Sequence, residues 1–234
     1  MARSGLFITG TDTDVGKTIV TASIATSLRD KGMDIGVFKP MMSGVKREDP
    51  NSDVSILKQF ADDGNALERI NPFQFDEPLA PYIAAKREGR TITLEQVEQA
   101  WRSVEPDHDV FLVEGAGGLM VPMGPGYLAA DVAKAIGYPL LIVARPGLGT
   151  VNHTLLTIRY AESIGLRVAG IILNGMKKDT KGIAEQTNPA LIEEFSGVPV
   201  IGMLPWMKEI ERQTMVTMVE RYVSMDRLAA FIET

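Results

Sequence analysis

Cysteine is absent from this chain of 234 residues. Its absence excludes disulfides, thiolate metal sites and cysteine nucleophiles together, and it fits a reducing compartment. Histidine is nearly absent as well, since only His108 and His153 are present, and they lack the spacing of metal ligands. We therefore expect neither a zinc site nor a nucleophile activated by histidine.

Basic charge and long apolar runs are also scarce. The 24 Lys and Arg residues are outnumbered by 30 Asp and Glu, which gives a net charge of -6 and argues against a nucleic-acid surface. No apolar run approaches the roughly 18 residues of a membrane span, and residues 1–5 lack the apolar core of a leader peptide. A soluble, cytoplasmic protein with a single domain over residues 1–234 is expected, because no repeat or low-complexity segment divides the chain.

The segment GTDTDVGKT, from Gly10 to Thr18, predicts a phosphate-binding loop. It follows the apolar run Leu6-Phe7-Ile8 and precedes a helix-patterned segment, which is the context that such a loop needs. Lys17 would reach the outer phosphates, and the Thr18 hydroxyl would contact Mg²⁺. The two glycines enclose five residues instead of the usual four, so an ordinary strand-to-helix turn is the alternative.

Continuous apolar runs alternate with helix-patterned segments along the rest of the chain. Such runs are typical of strands buried on both faces of a parallel sheet, and here they cover 35–38, 110–113, 140–143, 168–173 and 200–204. Helices are predicted over 17–31, 54–60, 79–87 and 94–104 and from about 150, a loop over 41–50, and an ordered connector over 71–81. The alternation predicts a doubly wound, mostly parallel α/β sheet with helices on both faces.

Four residues lie at the carboxyl ends of predicted strands, where ligands bind in such sheets: Gly10, Lys39, Glu114 and Asn174. Glu114 precedes three glycines within four residues, so a carboxylate presented to Mg²⁺ is favoured over a solvated or capping acid. Lys39 would stabilise charge on a transferred phosphoryl group, unless it is a surface lysine.

Two further positions have structural explanations that compete with a functional one. Asp53 opens a predicted helix, where an acid either binds metal or complements the helix dipole. The turn Gly147–Asn152 precedes another helix and would form a second anion site, but an ordinary turn is the default there. Trp101 is expected in the core.

Taken together, these motifs resemble the dethiobiotin synthetase family in order and spacing. The resemblance covers nearly the whole chain up to about residue 206, and the five-residue spacing of the phosphate loop is the one this family has. The matching segments are Gly10–Thr18, Lys39-Pro40, Ser43-Gly44, Asn51–Asp53, Glu114–Gly118, Leu148-Gly149, Asn152-His153, Asn174 and Pro205-Trp206.

The resemblance implies a P-loop NTPase-like fold with a seven-stranded sheet, and a homodimer with the substrate site at the subunit interface. It also implies an ATP- and Mg²⁺-dependent cyclo-ligase that converts 7,8-diaminononanoate and CO₂ into dethiobiotin. The route is a carbamate, then a carbamic-phosphoric anhydride, and then closure of the cyclic urea by the second amine.

The resemblance further implies a role for each matching residue. Catalysis would use Thr13, Lys17 and Lys39, and metal binding would use Thr18, Asp53 and Glu114. ATP would contact Asp14, Val15, Gly16, Lys17, Thr18, Glu114, Asn174, Pro205 and Trp206. Substrate would contact Thr13, Asp14, Lys39, Ser43, Leu148, Gly149, Thr150, Val151 and Asn152. Asp14 departs from the family's usual Glu, which affects the expected substrate contact more than ATP binding.

Two other classes of P-loop protein are considered. Partition-type ATPase switches carry a second lysine early in the loop, and the stretch Thr11–Thr13 has none. Amide ligases of the cobyrinate type usually need a glutaminase domain with a cysteine nucleophile, and this chain has no cysteine.

Overall fold

The continuous apolar segments form the strands of a central parallel sheet in the computed structural model, which describes residues 4–177, 182–207 and 210–232. The sheet contains β1 (Ser4–Gly10), β2 (Ile35–Phe38), β5 (Val110–Gly118), β8 (Leu140–Ala144), β9 (Val168–Met176) and β10 (Val200–Pro205). Their order is β10-β9-β8-β1-β5-β2, and every neighbouring pair is parallel. From β1 the chain crosses to β2 at one edge, returns to β5 between these two strands, and then continues on the other side of β1 through β8, β9 and β10. This order confirms the doubly wound α/β fold.

The described part of the chain has six strands in this sheet, where the family resemblance implied seven. Two short pairs lie apart from it: β3 (Met41–Ser43) with β4 (Phe73–Phe75), and β6 (Pro122–Gly124) with β7 (Tyr127–Leu128). Pro40 has no N–H to donate, and β2 ends before it. The segment 41–50, predicted as a loop, begins with the strand β3. This strand pairs with β4, which lies in the predicted connector 71–81.

Helices cover both faces of the sheet. The described helices are α1 (Lys17–Asp30), α2 (Asp53–Ala61), α3 (Leu67–Ile70), α4 (Pro81–Arg87), α5 (Leu94–Val104), α6 (Ala129–Ile136), α7 (Thr150–Ser163), α8 (Ile183–Ser196), α9 (Arg212–Tyr222) and α10 (Met225–Ile232). Alternate strand residues face opposite sides: Leu6 and Ile8 pack with α1, α2, α9 and α10, whereas Phe7 packs with α4, α5 and α6. None of the helices in the described ranges is long and apolar enough to cross a lipid bilayer.

Local sequence signals explain where the helices begin. In α5, the Thr93 Oγ1 accepts from the Gln96 N–H at 3.3 Å, and the Gln96 side chain accepts from the Thr93 N–H at 2.8 Å. The observed bounds of α5 are therefore the predicted ones, 94–104. Helix α2 is capped by the Ser52 Oγ, which accepts from the Ser55 N–H at 3.1 Å. The third predicted helix begins at Pro81 instead of 79, since proline is favoured in the first turn.

Trp101 of α5 is buried between this helix and the sheet, as predicted. Its ring centroid lies 4.9 Å from that of Phe111, 5.4 Å from Phe38 and 5.6 Å from Tyr138. Two of the three contacts are edge-on, which is a favourable arrangement for aromatic rings. The cluster fixes α5 against β2 and β5.

Trp101→Ala should lower the free energy of unfolding by about 3 to 5 kcal/mol, because it removes a large side chain from a packed core. Trp206, the other of the two tryptophans, is exposed and gives a matched control, for which we expect a change within about 0.5 kcal/mol. Urea denaturation of both variants measures the difference. A loss below about 1 kcal/mol for Trp101→Ala would contradict its role in the core.

Candidate active site

The carboxyl edge of the central sheet brings most of the predicted site residues together around two neighbouring cavities. One, which we call the charged cavity, has a volume of about 530 Å³ and is lined by Thr13, Lys17, Thr18, Lys39, Ser43, Asp53 and Glu114 among others. The other, which we call the flat cavity, has a volume of about 710 Å³ and is lined by Val15, Arg145, Asn174, Lys177, Glu185 and Trp206 among others. Asp14 and Gly16 line both, so the loop after β1 separates them.

This loop has the backbone that phosphate binding requires. Gly16 has a φ of 86°, which places it in the left-handed region immediately before α1. A side chain at Gly10 is excluded, since a Cβ there would lie 2.6 Å from the Asp12 carbonyl oxygen and 3.1 Å from the Lys17 Nζ. Lys17 is buried and folds back over the loop, where its ammonium donates to the Asp12 carbonyl at 3.3 Å.

Lys39, Asp53, Glu114 and Thr18 form a connected polar cluster in the charged cavity. The Lys39 Nζ lies 2.5 Å from the Glu114 Oε1 and 2.8 Å from the Asp53 Oδ2. The Thr18 Oγ1 lies 2.8 Å from the Asp53 Oδ1 and 3.0 Å from the Glu114 Oε1, so its one proton serves either carboxylate. Lys39 and Glu114 are both almost fully buried.

The two lysines of the site have opposite electrostatic environments. Burial lowers the pKa of the Lys17 ammonium, Glu114 opposes this effect, and the charge of Lys39 adds to it. Burial would also lower the pKa of Lys39, but the charges of Glu114 and Asp53 outweigh it and raise this pKa. Burial would raise the pKa of Asp53, but Lys39, together with Thr18 and Lys17, outweighs burial and lowers this pKa. Lys39 is therefore charged in the folded protein, whereas an added anion would stabilise the charged form of Lys17.

The oxygen donors of the cluster fit a magnesium ion. Glu114 Oε2 is buried and has no hydrogen-bond partner, which leaves one carboxylate oxygen available to a ligand. No group of three or more His, Cys, Asp or Glu residues forms a metal cage within the described ranges. Mg²⁺ commonly takes one or two carboxylates and completes its shell with water and substrate phosphates. Asp53, Glu114 and Thr18 supply such a partial set.

Asn174 and Trp206 form much of the flat cavity. The Asn174 Nδ2 donates to the Val15 carbonyl at 3.0 Å, and a Cβ on Gly16 would lie 2.1 Å from this nitrogen. Trp206 is 57% exposed, and its backbone N–H donates to the Met176 carbonyl at 2.8 Å. Pro205 does not line this cavity but an adjacent one of about 660 Å³, which shares Trp206 as a wall. An exposed aromatic ring beside an amide suits a planar heterocycle.

The turn Leu148–Asn152 lies apart from the charged cavity, although Leu148 lines the flat one. Gly149 has a φ of 91°, and α7 begins at Thr150. Thr150 is buried, and its hydroxyl lies 3.4 Å from that of Thr154, so its side chain faces the protein interior. Val151 packs partly against the core. Within one chain, the turn therefore does not join Thr13, Lys39 and Ser43 in the charged cavity, although Leu148 shares the flat cavity with Asp14.

Glu114 and Asn174 lie within strands, not after them, because β5 and β9 extend to Gly118 and Met176. The glycines after Glu114 permit this extension. Gly118 pairs with Gly10 across an irregular register, and a Cβ on Gly118 would lie 2.9 Å from the Gly10 carbonyl oxygen.

Arg145 is a site residue that the sequence reasoning missed. Its Nη2 donates to the Thr13 carbonyl at 2.9 Å, and its Nη1 lies 3.4 Å from the Asp12 carboxylate. The available signal was its position directly after the buried strand β8, which is the criterion that identified Lys39 after β2. Asn188 of α8 supports the lining of the flat cavity, since its Nδ2 donates to the Pro146 and Gly147 carbonyls at 2.8 and 3.1 Å.

This fold and loop define an α/β protein of the P-loop NTPase class. Solved structures with the same fold include a ParA family ATPase from Chlorobium tepidum, at a TM-score of 0.55 and 16% identity over 99% of this chain and 97% of that one. The MinD cell division protein of Aquifex aeolicus also has a TM-score of 0.55, with 18% identity over 88% of this chain and 83% of that one.

Comparisons of sequence identify the family. A family model described as an AAA domain matches residues 4–214. The ATP-dependent dethiobiotin synthetase BioD of Bacillus subtilis strain 168 is 46% identical over 96% of each chain, and that of Bacillus cereus strain G9842 is 42% identical over 98% of this chain and 95% of its own. The chain belongs to the ATP-dependent dethiobiotin synthetase family.

Arg145→Ala should raise the KM for ATP by about three- to tenfold, because the loop loses a charged hydrogen bond that is only partly shielded from water. The KM for ATP of Arg145→Lys should stay close to that of Arg145→Ala, since an ammonium cannot contact both Thr13 and Asp12 in the same planar geometry. Arg159→Ala, on the exposed side of α7, is the matched control. Equal KM values for the Arg145 and Arg159 variants in steady-state kinetics would contradict the positioning role.

Proposed function

We propose that this chain is a dethiobiotin synthetase that converts 7,8-diaminononanoate, CO₂ and ATP into dethiobiotin, ADP and phosphate, within one P-loop domain over residues 1–234. The observation that carries the proposal is the convergence of Lys17, Lys39, Asp53 and Glu114 in one cavity beside the phosphate loop. Family membership supplies the reaction class, and this cavity supplies charges that the reaction needs.

The chemistry begins with an anionic nucleophile. One amine of the substrate adds to CO₂ and forms a carbamate, whose oxygen then attacks the γ-phosphorus of ATP and displaces ADP. The second amine attacks the carbonyl carbon of the resulting anhydride, phosphate leaves, and the cyclic urea closes. A carbamate and ATP repel each other, so the attack requires fixed positive charge between them. Lys17 and Lys39 provide it.

Each side chain has a role that follows from its position. Lys17 would stabilise the transferred phosphoryl group, and Lys39 with Thr13 and Ser43 would hold the carbamate. These four residues line the charged cavity, and the Ser43 hydroxyl currently donates to the Leu79 carbonyl at 2.7 Å. No covalent intermediate with the protein is required.

Magnesium binding is proposed for Thr18, Asp53 and Glu114. When bound, Mg²⁺ would supply charge neutralisation at the phosphates of ATP. Adenine is assigned to the flat cavity, where Asn174 and Trp206 would contact the ring and Pro205 would support Trp206 from the adjacent cavity. The backbone N–H groups of Asp14, Val15 and Gly16 would hold the phosphates.

A homodimer is proposed, in which the turn Leu148–Asn152 binds the substrate carboxylate of the partner subunit. The turn lies outside the charged cavity of its own chain, so it would serve a second one. Apolar side chains are exposed beside it: Leu148 is 94% exposed, Leu156 62% and Met120 60%. Such a concentration of exposed apolar surface marks an interaction site, and a second copy of the chain would cover it.

We place the protein in the cytoplasm, with neither nucleic acid nor membrane as a partner, from its net charge of -6 and its lack of cysteine. The fold is shared with partition ATPases, but Thr11, Asp12 and Thr13 offer no second lysine in the loop. The ligase function is therefore favoured over an ATP-driven switch.

Product formation tests the proposed function directly. Purified protein with ATP, Mg²⁺, bicarbonate and 7,8-diaminononanoate should form dethiobiotin, detected by mass spectrometry, and each single omission should abolish it. Lys17→Ala should slow formation by about 100-fold or more, because it removes charge from the transition state. ATP hydrolysis without dethiobiotin in the full mixture would contradict the substrate assignment.

Leu156→Asp should convert the dimer into monomers and reduce turnover, since it places a charge in the proposed apolar interface. Phe195→Asp changes an exposed apolar residue of α8 in the same way and should leave the dimer intact. Light scattering after size-exclusion chromatography measures the mass of each variant. A monomeric wild type with full turnover would refute the dimeric site.

A further inference from the structure

We propose that Lys39 is an internal counter-ion that occupies the carboxylates of the metal site until a divalent cation displaces it. On displacement, its ammonium would move into the charged cavity, toward the reacting anions. This inference rests on the proposed magnesium site. It adds that loading of the metal and delivery of the Lys39 charge are a single event.

The geometry makes the two cations competitors. The Lys39 Nζ contacts the Glu114 Oε1 at 2.5 Å and the Asp53 Oδ2 at 2.8 Å, so it bridges both carboxylates. Mg²⁺ bound to the same carboxylates would lie about 2.0 to 2.1 Å from its oxygen ligands. An ammonium group on those oxygens would then stand against the ion and be repelled by it.

Burial makes the pairing necessary while no metal is bound. Glu114 is fully buried, and an unpaired carboxylate in such a position is strongly unfavourable. Lys39 compensates this charge, but Glu114 Oε2 still has no hydrogen-bond partner. The Lys39 ammonium therefore satisfies the Glu114 carboxylate only in part, as is required of a counter-ion that a metal ion can replace.

The backbone of Lys39 is fixed, so only its side chain can move. Its N–H donates to the Ile70 carbonyl at 2.9 Å, and its carbonyl accepts from the Asn71 Nδ2 at 2.6 Å. The four-carbon stem allows the ammonium to rotate away from Glu114 while the end of β2 stays in place. Thr13 and Ser43 line the same cavity and are the groups it would approach.

Coupling between metal and nucleotide follows from this arrangement. A divalent cation alone must displace an ammonium that then lacks a partner, so it should bind weakly. Phosphates supply the missing anionic partner, so the metal should bind more tightly with nucleotide than the direct metal–phosphate contacts account for.

The test measures binding of Mn²⁺ alone by electron paramagnetic resonance, without nucleotide. Lys39→Met, which keeps most of the stem and removes the charge, should bind Mn²⁺ about tenfold more tightly than wild type, and Mn²⁺ should raise its melting temperature. Lys17→Met removes a nearby charge that is hydrogen-bonded to the Asp12 carbonyl, and it should change the affinity less. Equal gains in the two variants would indicate general charge repulsion and would overturn the proposal.

Wild-type protein gives a second test that does not depend on the folding of a variant. In crystals with Mn²⁺ and ADP, the Lys39 ammonium should lie away from both carboxylates, whereas metal-free crystals should retain the two contacts. A metal bound through Glu114 Oε2 with Lys39 still on Oε1 would refute displacement. Dethiobiotin formation is measured separately, so loss of the displacement with product formation intact leaves the proposed function standing.

Discussion

The buried ion pair between Lys39 and Glu114 is the interaction on which the site depends. A charge that is fully buried within β5 requires a partner, and the neighbouring strand β2 ends where it can provide one. Thr18 and Asp53 extend the pair to the first turns of α1 and α2. One charge requirement thus ties two strands and two helices together. The rest of the carboxyl edge is built around it.

The phosphate loop separates the charged cavity from the flat cavity at this edge. Asn174 of β9 and Arg145 after β8 both line the flat cavity, and they donate to the Val15 and Thr13 carbonyls of the loop. The loop is longer by one residue than the general motif, and these contacts fix its backbone on either side of Asp14. Under the proposed function, base recognition and phosphoryl transfer would take place in the two cavities that this loop separates.

The sequence predicts what depends on local pattern. Buried strands, the capped helix α5 and the convergence of Lys39 and Glu114 all follow from short-range signals combined with one rule for parallel sheets. It does not predict the β3–β4 pair, because strands of three residues carry no periodicity. Nor does it reveal that Lys39 contacts Glu114, since that pair joins residues 75 positions apart. The seventh strand came from the resemblance alone.

Asp14 illustrates how backbone and side-chain requirements meet in this loop. Its φ of 57° lies in the left-handed region, which Asp tolerates better than Glu, since its short side chain can bond locally. The Glu that the family resemblance implies would reach one methylene further at the cost of greater backbone strain. Asp14 borders both cavities, so the shorter side chain leaves more room in them. Its effect should therefore fall on the fit of the substrate, while the loop that holds the nucleotide is made easier to form.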